Sequence, residues 1–149
     1  MQTIFDPSVF STFLERIEKL EPDSPAQWGR MTVAQMMAHC SQALKMALGE
    51  IEVKSNLFFK LFGGFLRGIL TNDKPYRSGA PTAREFVVKD QKEFEKEKAQ
   101  LVELLNKFYR GGEEALKGRR HPIVGKFSPQ EWSATMFKHL DHHLRQFGV

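Results

Sequence analysis

Three histidines stand close together late in this 149-residue chain, at positions 139, 142 and 143. His139 and His143 are spaced i, i+4. On a helix that step turns by only about 40°, so both imidazoles share one face, a turn apart. Two neutral imidazoles placed this way can converge on one divalent ion. An ion needs at least one further ligand, and His39, beside the apolar stripe of Met36 and Cys40, is the best candidate. Three imidazoles with open positions suit zinc, nickel or ferrous iron. Water in an open position becomes a nucleophile near neutral pH. The same spacing also arises by chance on solvated helices, so the pattern alone leaves both readings open.

The neighbours divide by facing. Gln146 lies on the edge of the face that carries His139 and His143, and can hydrogen-bond a ligand ring from behind, although a surface glutamine explains it equally. His142 lies on the far side of His139 and reads as outward-facing. It and Asp141 are candidates to orient a ligand or shuttle a proton. Cys40 points about 100° away from His39 and reads as a small core residue rather than a fourth ligand. His121, before Pro122, reads as a loop residue that hydrogen-bonds locally. Trp28 and Trp132 read as core anchors. No residue is assigned a catalytic role.

These side chains need helices to hold them. Asp6-Pro7 opens the first, as N-cap and first helical residue, with Phe10, Phe13, Leu14, Ile17 and Leu20 at helical spacing and an end near Glu21-Pro22. Thr32 caps the second, whose stripe is Val33, Met36, Met37, Cys40, Leu44 and Leu48, and Gly49 stops it. The apolar stretch Leu57 to Leu70 reads as helix with a weak point at Gly63-Gly64. It is too short and too charged to span a bilayer. It is expected to be buried or to face a partner subunit, with Phe58 to Ile69 as a possible wall of an apolar pocket; contact with a membrane surface is the other reading. After a loop and a short extended piece, Glu85 to Val88, Asp90 is expected to cap a long helix to about Tyr109, broken by Gly111-Gly112. Its charged run from Lys92 to Lys98 reads as a solvated face. Gly118 to Phe127 reads as loop. Ser128-Pro129-Gln130-Glu131 has the form of a capping box that opens the last helix, which runs to about Phe147. Trp132, Met136, Leu140, Leu144 and Phe147 form its inward arc.

The sum is an all-α fold over residues 1–149, a single domain whose natural packing is an up-and-down four-helix bundle with crossover connections and one or two extra short helices. Composition agrees. Hydrophobic content of 41% argues against disorder, and one cysteine excludes a disulfide framework. A net charge of +4 is too small to imply nucleic acid without a basic face, and Lys117, Arg119, Arg120 and Lys126 read as ordinary solvated charge. Thirteen phenylalanines against two tyrosines point to a phenylalanine-rich core. The N-terminus has no export signal and no segment spans a membrane, so a cytoplasmic location is expected.

The segments WGRMTVAQMMAHCSQAL (Trp28 to Leu44), HPIVGKFSPQEW and KHLDHHLRQFGV resemble the DinB-like superfamily, and within it a branch known as a domain of unknown function. The resemblance covers nearly the whole chain. It implies a four-helix bundle holding a divalent metal through His39, His139 and His143, and often a homodimer. Some members of that superfamily are metal-dependent transferases that join small thiols to electrophiles, and others are hydrolases or isomerases of thiol adducts. The function expected is therefore divalent-metal binding, with a transferase or hydrolase acting on thiol-containing or small electrophilic substrates. The alternative is a non-catalytic interaction or dimerisation module with structural histidines.

Overall fold

A computed structural model of the chain describes residues 2–53, 63–79 and 86–149. Those residues are predominantly helical. The elements run α1 (Pro7–Glu18), α2 (Val33–Leu48), α3 (Gly63–Thr71), α4 (Phe94–Leu116), a hairpin of β1 (Arg120–His121) and β2 (Gly125–Lys126), and α5 (Pro129–Gln146).

Local chemistry accounts for most of the helix starts. The Asp6 carboxylate accepts from the Ser8 amide at 2.8 Å, and Pro7 needs no amide partner at the first helical position. Those Ser8 hydrogen bonds hold the Asp6 carboxyl below its usual pKa. Thr32 and Gln35 form a reciprocal capping box at α2, and Ser128 and Glu131 form another at α5. Gly49 closes α2 in the left-handed conformation, at φ 73°.

α2 is the central helix. It is buried on almost all sides and packs against α4 and α5, while α1 lies against α4 and α5. Several of the described phenylalanines pack between elements. Phe5 stacks on Phe108, Phe10 on Tyr109, and Phe13 meets Phe137 edge-on. Arg16 ties α1 to α5, reaching Asp141 at 3.0 Å and the Val149 carbonyl at 2.9 Å.

Several expectations need correction. α1 ends at Glu18 rather than near Glu21, where the Lys98 ammonium from α4 takes the Glu18 and Leu20 carbonyls that a helix end leaves open. Asp90 does not cap α4. The N-cap is Glu93, which makes no capping hydrogen bond, while Asp90 pairs with Lys92 at 2.7 Å and its carbonyl accepts from Gln35. The break expected at Gly111-Gly112 is present, at Gly112, whose φ of 55° and ψ of −154° are open to glycine, and helical turns resume beyond it to Leu116. The expected loop at 118–127 contains the hairpin, too short to leave a period in the sequence. His121 is buried there, and its Nδ1 accepts from the Ile123 and Val124 amides at 3.2 and 3.3 Å.

The apolar segment divides. Residues 57–62 lie outside the described residues, so the pocket wall expected at Phe58 is not placed. In the described part, α3 is not buried: Phe65 is 72% exposed and Ile69 38%, and Gly63 alone is buried. The helix meets the rest of the chain mainly at α5, through an Arg67–Glu131 ion pair at 2.6 Å and through Lys138, which donates to the Ile69 carbonyl and Asn72. No helix among the described residues is long and apolar enough to cross a membrane.

Candidate metal centre

α2 and α5 pack so that His39 from one meets His139 and His143 from the other. The three ring centroids lie 4.6 to 4.8 Å apart in a near-equilateral triangle. One ligand nitrogen from each lies within 4.8 Å of the other two. His39 and His143 are buried, and His139 is partly exposed.

Hydrogen bonds behind the rings decide which nitrogens face inward. His39 Nδ1–H donates to the Phe86 carbonyl at 2.8 Å, which leaves its Nε2 with a bare lone pair. His143 Nδ1 lies 2.9 Å from Gln146 Oε1. The orientation of that amide is fixed by its other end, because Gln146 Nε2 is 2.7 Å from the Trp28 carbonyl, which can only accept. The oxygen therefore faces His143 and takes its Nδ1–H, so His143 Nε2 is also bare. Glycine at 29 makes this possible: it sits at φ 85°, and a Cβ there would come within 2.6 Å of Gln146 Nε2.

His39 Nε2 and His139 Nε2 stand 2.9 Å apart. Two lone pairs cannot face each other at that distance, so either a proton on His139 Nε2 or a cation between the rings is required.

All three rings have pKa values below the ordinary histidine range. Burial is the largest cause for each. The neighbouring imidazoles add to it at His139, which is well depressed, and at His143, pushed down to about 3. Neutral imidazole is the form that binds metal. The donor set therefore fits a divalent ion that accepts nitrogen ligands and keeps open positions.

The remaining candidates fall as follows. Gln146 is buried and supports His143 directly. His142 is not outward-facing. It is buried between Trp28, Tyr76 and His143, at ring separations of 5.6, 5.8 and 5.0 Å. Its burial comes from chain segments crossing α5, which helix periodicity alone does not reveal. Asp141 is taken by Arg16 and Arg145. Cys40 is fully in the core, its thiol 3.7 Å from the Met36 sulfur, and burial pushes its pKa up, so it offers no thiolate. Trp132 is a core anchor, and Trp28 is half-buried beside the triad. Sequence reasoning missed the Phe86 carbonyl, a backbone group without side-chain signal, and Gly29, whose only signal is its place between two large residues.

Fold and site together define a class: a helical protein that gathers three neutral histidines from two packed helices. The chain belongs to the family described as a protein of unknown function, DUF1569, whose family model matches residues 9–148. No curated protein and no solved structure matches it.

Proposed function

We propose that this chain is a DinB-like four-helix bundle that holds one divalent ion through His39, His139 and His143 and uses it on small thiol-containing or electrophilic substrates, as a transferase or hydrolase. The observation that carries the reading is the convergence of three imidazole nitrogens, two of them fixed as bare Nε2 atoms by the Phe86 carbonyl and the Gln146 amide. A surface histidine cluster has no reason to be buried, neutral and braced from behind.

A bound divalent ion supplies Lewis acidity and lowers the pKa of a coordinated water or thiol. The chain's own groups do the rest. Phe86 and Gln146 hold the two ring tautomers, and the packing of α2 on α5 sets the separation of the rings. A cleft walled by Trp28, Met31, Phe86, Val88, His142 and His143 leads to the His143 side of the cluster. Zinc, nickel and ferrous iron all suit three imidazoles with open positions.

The test is elemental analysis of the purified protein. It is expected to carry about one ion per chain, and His139→Ala is expected to lose the ion while keeping its helical circular dichroism. Full occupancy in that variant overturns the reading. A second reading, a non-catalytic interaction module, draws support from the exposed Phe65 and Ile69 on α3. A metal-free dimer on a sizing column, whose histidines tolerate replacement, would favour it.

A further inference from the structure

The cleft beside the triad has a volume of about 190 Å³. A cavity of about 150 Å³ accepts benzene, so this one takes a molecule of similar or slightly larger size. Most of its wall is apolar, from Met31, Phe86, Val87 and Val88. Two of its polar groups are already engaged, since Gln146 bonds His143 and the Trp28 carbonyl and the Phe86 carbonyl takes His39, and the exposed Arg30 also lines it.

Among the described residues, two polar atoms on rings that line the cleft are buried without a hydrogen-bond partner, Trp28 Nε1 and His142 Nδ1. Buried polar atoms are satisfied in the great majority of cases, and an unpaired one calls for a cause. Here there are two, on rings whose centroids are 5.6 Å apart. The indole N–H can only donate. A neutral imidazole carries a proton on one nitrogen and a lone pair on the other, so His142 Nδ1 either donates or accepts. The pair asks for a group that accepts from the indole and meets the imidazole in either tautomer. A hydroxyl or an amide does so, and a hydrocarbon would leave both nitrogens unpaired.

We propose that this cleft is the substrate subsite of the metal centre, and that Trp28 and His142 bind a hydroxyl or amide group of a small substrate whose other end carries the metal-seeking atom. The proposal rests on the metal reading above. It makes Trp28 and His142 specificity determinants that select the substrate by its polar end, while the apolar wall accepts the chain between.

The test uses cobalt(II)-loaded protein and two probes of nearly equal size, 3-mercapto-1-propanol and 1-butanethiol, which differ by a hydroxyl in place of a methyl. Thiolate binding is read from the sulfur-to-cobalt charge-transfer absorption, and cobalt uptake separately from the ligand-field bands. The hydroxythiol is expected to bind about tenfold more tightly than the alkyl thiol, because a site built to pair a hydroxyl rejects the analogue lacking it. That preference is expected to vanish in Trp28→Phe and in His142→Phe, with the ligand-field bands of the loaded variants confirming an intact site. Equal binding of the two thiols to the parent protein, or a preference that survives both substitutions, overturns the subsite and leaves the metal reading standing. Failure of the parent to take up cobalt overturns the metal reading and the subsite with it.

Discussion

Replacing Gln146 by leucine tests how the centre is braced. The side chain is 3% exposed and makes two hydrogen bonds, accepting from His143 Nδ1 at 2.9 Å and donating to the Trp28 carbonyl at 2.7 Å. Leucine keeps the bulk and removes both. An imidazole N–H and a carbonyl are then left without partners, at about 1–3 kcal/mol each when fully buried. The Trp28 end is half-buried and can relax toward water, and the backbone bond from Gln27 to the Gln146 carbonyl at 2.8 Å survives. The net cost is therefore near the lower end, about 2–3 kcal/mol, or roughly 5–10 °C in melting temperature for a chain of this size. Metal affinity should fall about 10- to 100-fold, as it does when a residue supporting a ligand histidine is removed. Gln146→Glu separates the two roles. Its carboxylate still accepts from His143, and more strongly, but faces the Trp28 carbonyl with no proton to donate. Stability should fall as in the leucine variant while metal affinity is kept or raised. The assays are thermal melting in the presence of a chelator, and zinc competition against a chromophoric chelator. A leucine variant that binds zinc as tightly as the parent, or a glutamate variant as weak as the leucine one, refutes the reasoning.

The other predictions concern the supports of the site and the hairpin. Gly29→Ala strains a φ of 85° and drives a methyl to 2.6 Å from Gln146 Nε2, so it should weaken metal binding in the same direction as Gln146→Leu; Gly79→Ala, at φ 74° with nothing within 4 Å of the added methyl, should leave metal binding unchanged. Competition titrations of both variants check this. His121 responds to pH through its burial, which pushes its pKa down to about 4 from an unfolded value of 6.5. Above pH 6.5 both states are neutral and nothing is lost. As pH falls toward 4 the unfolded chain takes up a proton that the folded chain refuses, and stability falls by about 3 kcal/mol from this residue. His121→Asn, which keeps an acceptor for the Ile123 and Val124 amides, should flatten that part of the curve in urea denaturation at stepped pH, and an unchanged slope would count against it.

What was legible in the sequence was what is decided locally. Asp6-Pro7, Thr32 with Gln35, and Ser128 with Glu131 signal their helix starts because each cap is made within three residues. The common face of His139 and His143 follows from helix geometry alone. Most of the failures come from contacts made by chain distant in sequence. His142 reads as outward when only helix partners are counted, yet Trp28 and Tyr76 cover that flank. Asp90 has the composition of a cap but is engaged by Lys92 and by Gln35 of α2. The apolar side chains of α3 look like core, but that helix sits against α5 with Phe65 turned away.

His39 and His139 meet across 100 residues of sequence, which ties the centre to the order of events in folding. The two rings of α5 come together as soon as one helical turn forms. The third arrives only when α2 and α5 dock, after the largest loop-closure cost has been met. A partly folded chain thus offers an ion two ligands and the native chain three. An ion that prefers the native chain in this way adds to its stability by mass action. Metal uptake during refolding should therefore trail helix formation and coincide with docking, which makes a bound ion a reporter of tertiary assembly as well as the agent of whatever chemistry follows.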